Sequence, residues 1–199
     1  MTQLVSRDDA VRLLGEGAVV AVPTDTVYGL AASLVHPDAV ASLFLVKGRP
    51  SGVPLPVLVH ALSPMQEIDV EWGERAQRLS EEFWPGPLTI VVAASHELSL
   101  MLGGARDTVG VRVPDDELLL SVLRECGPLA VSSANTHGAE PCHSAHEVLE
   151  ALAGEHLAGV LNGGERRGEV STVVEVDDTS WRVLREGAVS SARIAAALD

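Results

Sequence analysis

The chain has 199 residues, of which 46% are hydrophobic and 3% aromatic, and its 28 acidic and 14 basic side chains give a formal net charge of -14. This length and apolar content exclude a disordered chain and are typical of one globular domain with a core of aliphatic side chains. The acidic excess disfavours a nucleic-acid-binding protein, because most of the surface repels phosphate. A polyphosphate can still bind where the few Lys and Arg side chains converge in one cleft.

The sequence predicts neither a membrane span nor a secretory signal. The longest apolar stretches, such as Ala18–Val22 and Leu88–Ala94, are far shorter than the roughly 20 residues that cross a bilayer. The first residues also lack a basic segment followed by an apolar one. We therefore expect a cytoplasmic protein in which Cys126 and Cys142 remain free thiols.

Short β-branched runs alternate with helical patterns along the chain, which predicts an α/β or α+β fold without internal repeats. Gly and Pro mark most boundaries, because neither residue readily continues a helix or a central strand. In chain order we expect strand 18–22, helix 37–47, strand 55–60, helix 74–83, strand 88–94, strand 109–113, a helix from Asp115 or Asp116 to Cys126, strand 129–132, helix 144–152, strands near Val160, Val173 and Val183, and a terminal helix capped by Ser190.

Polar side chains follow the first strand directly, in the segment PTDTVYGL at residues 23–30. Ligands of α/β proteins bind where strands end and loops begin. The two threonines, the aspartate and the tyrosine of this segment can orient a small polar substrate by hydrogen bonds. The alternative is an ordinary turn stabilised by its Asp and Thr side chains.

Two basic residues, Lys47 and Arg49, flank the glycine that ends the predicted helix 37–47. Both side chains leave a short irregular segment and can reach one phosphate chain, the Lys as a point charge and the Arg as a bidentate fork. The alternative is that they complement the negative end of the helix dipole.

The strand predicted at 129–132 runs into the sequence SSAN. If the backbone stays extended, Ser133 and Asn135 point to the same side and can hold one ligand together. The alternative is a strand end capped by a serine and an asparagine.

The C-terminal segments STVV, from Ser171, and RVLREG, which contains Arg185, can add a hydroxyl and a guanidinium group to the same cleft. The alternative is a surface hairpin without a role in binding.

A resident metal or dinucleotide is not expected. Cys142, His143 and His146 are close in sequence but lack the paired spacing of a structural zinc site. The glycine pairs at 103–104 and 163–164 lack the context of a dinucleotide fingerprint or a P-loop.

Seven motifs occur in the order and spacing of the YrdC-like family, over about residues 4 to 195. They are PTDTVYGL, KGRP, WPGPLTIVV, VGVRVPD, SSAN, STVVEV and RVLREG. The chain thus resembles the short, single-domain form of that family. The resemblance implies one domain over residues 4–195, with a twisted mixed parallel and antiparallel sheet, flanking helices and a large concave basic cavity.

The resemblance also implies an activity. The reaction converts L-threonine, bicarbonate and ATP, which brings Mg²⁺, into L-threonylcarbamoyladenylate and pyrophosphate, a nucleotidyl transfer. A partner transferase complex then moves the threonylcarbamoyl group to an adenosine beside the anticodon of tRNA. No tight nucleic-acid binding and no membrane association by the chain itself are expected.

By motif position, two sets of residues match the family's binding residues. The residues that match threonine-binding positions are Thr26, Arg112, Ser133 and Ser171. Those that match ATP- or adenylate-binding positions are Lys47, Arg49, Thr108, Asn135 and Arg185. Because charge develops on phosphate oxygens when pyrophosphate leaves, Lys47 and Arg49 are the expected catalytic residues, and alignment of the reactants supplies the remaining catalysis.

Some positions depart from the family pattern. Val53 and Leu58 stand where many members carry an Asn and a His, so two polar groups are replaced by apolar ones. After SSAN, residues 136–138 replace the usual Ser-Gly step, and His143 stands where a Ser or Thr often contacts nucleotide.

Three alternative functions stay open. One is a carbamoyl-adenylate-forming domain of another pathway, although such domains belong to longer chains. Another is a non-catalytic RNA-binding module, which the net charge of -14 disfavours. The third is a paralogue that no longer binds threonine, which Leu58 keeps possible.

Overall fold

The computed structural model describes residues 2–47, 54–63, 68–136, 138–154 and 156–199, with the side chain of Lys47 set aside. Within these ranges the elements are β1 (Leu4–Val5), α1 (Arg7–Gly15), β2 (Val20–Val22), β3 (Gly29–Ser33), α2 (Pro37–Lys47), β4 (Val57–Leu58), α3 (Glu74–Phe83), β5 (Leu88–Ala93), α4 (His96–Met101), β6 (Thr108–Arg112), α5 (Glu117–Cys126), β7 (Leu129–Ser133), α6 (Ala145–Leu152), β8 (Gly159–Leu161), β9 (Thr172–Val176), β10 (Trp181–Arg185) and α7 (Ser191–Leu198). No helix in these ranges has the length and apolar character needed to span a membrane.

One mixed sheet runs through the described strands, in the order β1-β8-β2-β3-β7-β4-β6-β5-β9-β10. The pairs β1/β8, β2/β8, β4/β6 and β5/β9 are parallel, and the other neighbouring pairs are antiparallel. The predicted mixed sheet with flanking helices is therefore confirmed. Asp116, Ser144 and Ser190 cap helices α5, α6 and α7 through side-chain oxygens that accept backbone N–H groups. The caps at Asp116 and Ser190 were expected from the sequence.

Four elements were not expected from the sequence, namely α1, α4, β1 and β3. Strand β3 has the sequence Gly-Leu-Ala-Ala-Ser, in which Gly and Ala have low strand propensity. All five residues are buried, because β3 lies between β2 and β7 and pairs with both. Tertiary pairing therefore decides the conformation of this segment, and local sequence does not.

The two faces of strands β5 and β9 pack against different surroundings. Leu88, Ile90 and Val174 belong to a hydrophobic cluster with helices α3 and α7, through residues such as Leu79 and Ile194. Side chains alternate between the faces of a strand, so the intervening residues face away from that cluster. This alternation leaves Thr89, Val91, Val173 and Glu175 on the other face of the sheet, where a cavity opens.

Both cysteines are free thiols, as expected, and burial raises the pKa of each thiol above its ordinary value. A raised pKa means that the folded state holds the thiol proton more tightly than the unfolded state. This tighter proton binding stabilises the folded state. Its contribution to the free energy of unfolding is fully present below the unfolded pKa of about 8.5 and is lost as the pH rises through the folded pKa.

We therefore expect the free energy of unfolding to fall as the pH rises above the unfolded thiol pKa of about 8.5, and to fall less steeply in Cys142→Ala. Urea denaturation at a series of pH values measures both slopes. A Cys142→Ala variant with the wild-type slope would assign the loss to other groups.

Candidate functional site

A cavity of about 680 Å³ lies on the face of the sheet opposite α3 and α7. Its volume is in the range of small-molecule binding sites. The polar residues in its wall are Thr24, Thr26, Tyr28, Thr89, Arg106, Thr108, Arg112, Ser132, Ser133, Ser171, Glu175 and Arg185. Apolar residues, among them Pro56, Leu58, Val91 and Val173, complete the wall.

The turn after β2 is organised by the hydroxyl of Thr24. This hydroxyl donates to the carbonyl of Val27 at 2.7 Å and accepts the backbone N–H groups of Thr26 and Val27. It also lies 2.9 Å from the hydroxyl of Thr26. The turn interpretation of this segment is thus correct, and the same turn places Thr24 and Thr26 in the cavity wall.

Arg112 and Asp25 form a buried ion pair at this end of the cavity, with side chains that are 6% and 12% exposed. The Arg112 Nη2 group donates to Asp25 Oδ1. Its Nε group donates to the carbonyl of Gly86 at 2.9 Å, and its Nη1 group lies 3.4 Å from the Thr26 hydroxyl. Asp25 and Gly86 therefore hold the guanidinium group on one side. On the side toward the cavity, its contact with Thr26 is long.

Ser171 links the start of β9 to the neighbouring strands. Its hydroxyl lies 3.0 Å from that of Thr89 and accepts from Arg185 Nη2 at 2.9 Å. Arg185 also donates twice to the Ser171 carbonyl. Strands β9 and β10 are antiparallel neighbours, so these segments do form a hairpin. The same hairpin places the Ser171 hydroxyl and the Arg185 guanidinium group in the cavity wall.

Ser133 and Asn135 contact each other, because the Ser133 hydroxyl donates to Asn135 Oδ1 at 2.7 Å. The Asn135 amide nitrogen donates to the carbonyls of Thr136 and Ala139. Ser133 lies in the cavity wall, whereas Asn135, which is 7% exposed, is not one of the wall residues. In this arrangement Asn135 orients Ser133. A direct contact between Asn135 and a ligand stays a prediction.

Tyr28 attaches the segment between β8 and β9 to the site. Its hydroxyl donates to the Gly164 carbonyl at 2.9 Å and accepts the Gly163 N–H at 3.0 Å. Burial raises the pKa of the Tyr28 phenol, which keeps the donating proton in place. The same segment is fixed by an Arg166–Asp116 ion pair of 2.7 Å, and it leads directly to Ser171.

Six of the nine residues predicted to bind substrates lie in the cavity wall. They are Thr26, Thr108, Arg112, Ser133, Ser171 and Arg185. Asn135 is not one of the wall residues, and the side chain of Lys47 and the whole of Arg49 lie outside the described residues. Leu58 lies in the wall as well, whereas Val53 lies outside the described residues.

Sequence reasoning missed several wall residues. Thr89, Gly110 and Glu175 lie within apolar strands, and Arg106 precedes β6. The strand residues could have been found from the alternation of side chains, because each is flanked by residues of the hydrophobic core. Arg106 carries no comparable signal in the sequence.

The comparisons with known proteins cover most of the chain. The Sua5/YciO/YrdC family model, described as "Telomere recombination", matches residues 12–187. A putative threonylcarbamoyl-AMP synthase of Mycobacterium tuberculosis (strain ATCC 25618 / H37Rv) is 39% identical over 190 residues, which are 95% of this chain and 87% of the relative. The threonylcarbamoyl-AMP synthase of Bacillus subtilis (strain 168) is 38% identical, and the match spans 95% of this chain and 55% of the relative.

A solved structure of Pyrococcus abyssi Sua5, complexed with L-threonine, superposes with a TM-score of 0.92 at 33% identity. The match covers 100% of this chain and 61% of the Sua5 chain, so the chain spans less than two thirds of that relative. The family model and these relatives agree over nearly the whole sequence. The chain therefore belongs to the Sua5/YciO/YrdC family.

Proposed function

We propose that this protein is a threonylcarbamoyl-AMP synthase, which forms threonylcarbamoyl-adenylate and pyrophosphate from L-threonine, bicarbonate and ATP. One observation carries the proposal. The four residues expected to bind threonine all lie in the wall of one cavity, in a fold that superposes on Sua5 complexed with L-threonine. Those residues are Thr26, Arg112, Ser133 and Ser171.

Arg112 is suited to bind the carboxylate of the amino acid. The long 3.4 Å contact of its Nη1 group with Thr26 can be exchanged for a charge-assisted hydrogen bond to the substrate, while Asp25 and Gly86 keep the guanidinium in place. The hydroxyls of Thr26, Ser133 and Ser171 then orient the polar groups of threonine.

The chemistry takes place in two steps. The threonine nitrogen attacks the carbon of bicarbonate, water leaves and a carbamate forms. A carbamate oxygen then attacks the α-phosphorus of ATP, and the bond to the β-phosphate breaks as pyrophosphate leaves. Arg185 lies in the wall beside Ser171, where it can stabilise negative charge on the α-phosphate.

We propose that Mg²⁺ enters with ATP on the phosphate oxygens. Among the described wall residues, Glu175 carries the one carboxylate group, and both of its oxygens already accept from guanidinium groups. This carboxylate therefore does not fit the role of a metal ligand. An ion held by the phosphates supplies charge neutralisation, and the described residues of the chain contribute alignment.

The cellular setting is part of the same proposal. A cytoplasmic protein whose product is taken up by a tRNA-modifying transferase complex agrees with the absence of a membrane-spanning helix in the described ranges. The net charge of -14 disfavours tight binding of tRNA by this chain, so we expect the adenylate to reach tRNA through the transferase.

The decisive experiment supplies the purified protein with ATP, Mg²⁺, bicarbonate and one amino acid at a time. Mass spectrometry of the adenylate and a pyrophosphate assay measure the product. We expect product with L-threonine and at least about 10-fold less with L-serine, which lacks one methyl group.

Two outcomes would contradict the proposal. Turnover with carbamoyl phosphate in the absence of threonine would indicate a carbamoyl-adenylate-forming enzyme instead. Nucleotide binding without any product would indicate a paralogue that only binds its ligands.

A further inference from the structure

The segment of residues 162–170, which we call the strap, joins β8 to Ser171 and β9. Strands β8 and β9 are the second and the ninth in the order of the ten described strands, so the strap connects nearly opposite sides of the sheet. Three of its nine residues are glycines, which restrict the backbone least. The position of the strap therefore depends on its contacts with the rest of the protein.

The strap lies directly against the turn that follows β2. A Cβ atom on Gly163 would lie 2.6 Å from the Pro23 side chain. A Cβ atom on Gly168 would lie 2.6 Å from the Asp25 carbonyl oxygen and 2.9 Å from Thr26 Cα. Only glycine permits so close an approach, so strap and turn are in contact at both positions. Thr26 lies in the cavity wall and the two glycines do not, so the strap supports the turn from outside the cavity.

Arg166 fixes the strap through its backbone and through its side chain. Its N–H donates to the His143 carbonyl at 2.7 Å, and its carbonyl accepts from His143 Nδ1 at 2.7 Å. The Nη2 group donates to Asp116 Oδ2 at 2.7 Å, and the two side chains are 20% and 9% exposed. The Nε group is buried and has no hydrogen-bond partner among the described residues. The ion pair with Asp116 is therefore the polar contact that holds this guanidinium group.

The Arg166–Asp116 pair joins two segments of the chain that lead to residues expected to bind threonine. Asp116 follows Arg112 by four residues, and Arg166 precedes Ser171 by five. Asp116 is itself fixed, because its Oδ1 oxygen accepts the Leu119 N–H as the cap of α5. Solvent and salt screen a largely buried pair less than a surface pair, so this contact can fix the strap relative to α5.

We propose that Arg166 is a positioning residue for threonine binding. Its ion pair with Asp116 holds the strap against the turn after β2, and the strap keeps Thr26 in place in the cavity wall. Arg166 is not one of the wall residues, so it acts through Thr26. A displacement of about 1 Å in such a group can cost about 100-fold. The inference rests on the proposed function, which assigns threonine to this cavity.

The test compares Arg166→Gln with wild type. Isothermal titration calorimetry measures the Kd of L-threonine, and the pyrophosphate assay measures kcat and the KM values for threonine and ATP. We expect Arg166→Gln to raise the Kd and the KM for threonine by about 10-fold, because the turn is no longer held in place. The kcat at saturating threonine and the KM for ATP should stay within about 3-fold of wild type. Arg166→Lys keeps the charge and should restore part of the affinity.

The next residue in the strap provides a matched control. The side chain of Arg167 is 85% exposed and pairs with Glu165 within the strap, so Arg167→Gln should bind threonine as wild type does. Thermal unfolding of each variant measures whether it folds. If Arg166→Gln does not fold, Gly168→Ala gives a second comparison, because the added Cβ atom would push the strap away from the turn and weaken threonine binding in the same way.

Two further measurements separate positioning from a general structural effect. In a Thr26→Val background the hydroxyl that Arg166 is proposed to position is absent, so adding Arg166→Gln should change the Kd of threonine by less than about 2-fold. Amide hydrogen exchange of the unliganded protein tests the position of the strap without a substrate. Peptides that cover residues 162–170 and 23–27 should exchange faster in Arg166→Gln than in Arg167→Gln.

Three outcomes would overturn the inference. They are wild-type threonine affinity in a folded Arg166→Gln variant, the same loss of affinity in the Thr26→Val background, and unchanged exchange of the strap and the turn. Threonine-dependent turnover together with any of these results would contradict the inference alone. Threonine binding that depends on Arg166, without formation of threonylcarbamoyl-adenylate, would contradict the proposed function alone. A wild-type protein that binds no threonine would contradict both.

Discussion

Replacing Arg112 by alanine is expected to abolish most of the adenylate formation and to destabilise the fold at the same time. The guanidinium is 6% exposed and pairs with Asp25, whose side chain is 12% exposed. Removing one partner of a buried ion pair leaves an uncompensated charge and destabilises a protein by about 3–5 kcal/mol. Loss of the carboxylate contact should lower kcat/KM for threonine by about 100-fold or more.

The two effects can be separated by further variants. Arg112→Lys keeps the charge but not the bidentate geometry, so it should recover part of the stability and little of the activity. Replacing both partners, in Asp25→Asn with Arg112→Gln, should destabilise by less than the sum of the single changes. Urea denaturation measures stability, and the pyrophosphate assay measures activity at several threonine concentrations.

Arg78→Ala is the matched control for this prediction. Arg78 is 47% exposed and pairs with Glu74, so its loss should change stability by no more than about 1 kcal/mol and leave turnover intact. An Arg112→Ala enzyme with wild-type kcat/KM for threonine would contradict the assignment of this residue.

Replacing Lys47 or Arg49 by alanine is expected to lower kcat by about 100-fold or more, because each substitution removes a positive charge that we propose to stabilise the departing pyrophosphate. Both positions lie at or beyond the end of α2, where only the backbone of Lys47 is described. The expectation therefore comes from the motif and the chemistry. Single-turnover measurement of adenylate formation at saturating ATP tests it.

The chain offers an unusually direct second test, because Lys47 is its single lysine. An amine-selective acylating reagent can modify one side chain only, in addition to the N-terminus. We expect ATP to protect Lys47 from acylation, and threonine alone to protect it little. Peptide mass spectrometry measures the modified fraction with and without each ligand.

The exposed Arg124 provides the control for Arg49. It pairs with Glu117 at 3.5 Å on α5 and is not part of the cavity wall, so Arg124→Ala should keep wild-type kcat. Acylation of Lys47 that is equally fast with and without ATP, together with unchanged kcat in Lys47→Ala, would remove this residue from the catalytic site.

Leu58 brings an apolar side chain to the site at a position where many family members carry a polar one. It lies opposite Arg112 in the pairing of β4 with β6, is 3% exposed and contributes to the cavity wall. It offers no hydrogen bond to a substrate, so under the proposed function the orientation of threonine there depends on Arg112 and the hydroxyls. Threonine dependence of turnover is thus the measurement that separates a synthase from a paralogue without threonine binding.

Local sequence was sufficient for the elements with clear ends. Helix α2 begins at Pro37, and Asp116 and Ser190 cap their helices as expected. These features depend on interactions within a few residues, and such interactions are readable from spacing alone. The motifs that identify the family, including PTDTVYGL and SSAN, were equally visible in the sequence.

Only the tertiary structure decided which residues face the cavity and which partners they have. The Arg112–Asp25 pair joins positions 87 residues apart, and the Thr89–Ser171 contact joins positions 82 apart. Strand β3 depends on pairing with β2 and β7, and Glu175 faces the cavity because Val174 and Val176 pack on α3 and α7. Pairing between distant strands sets these relations, and no local propensity encodes which strands meet.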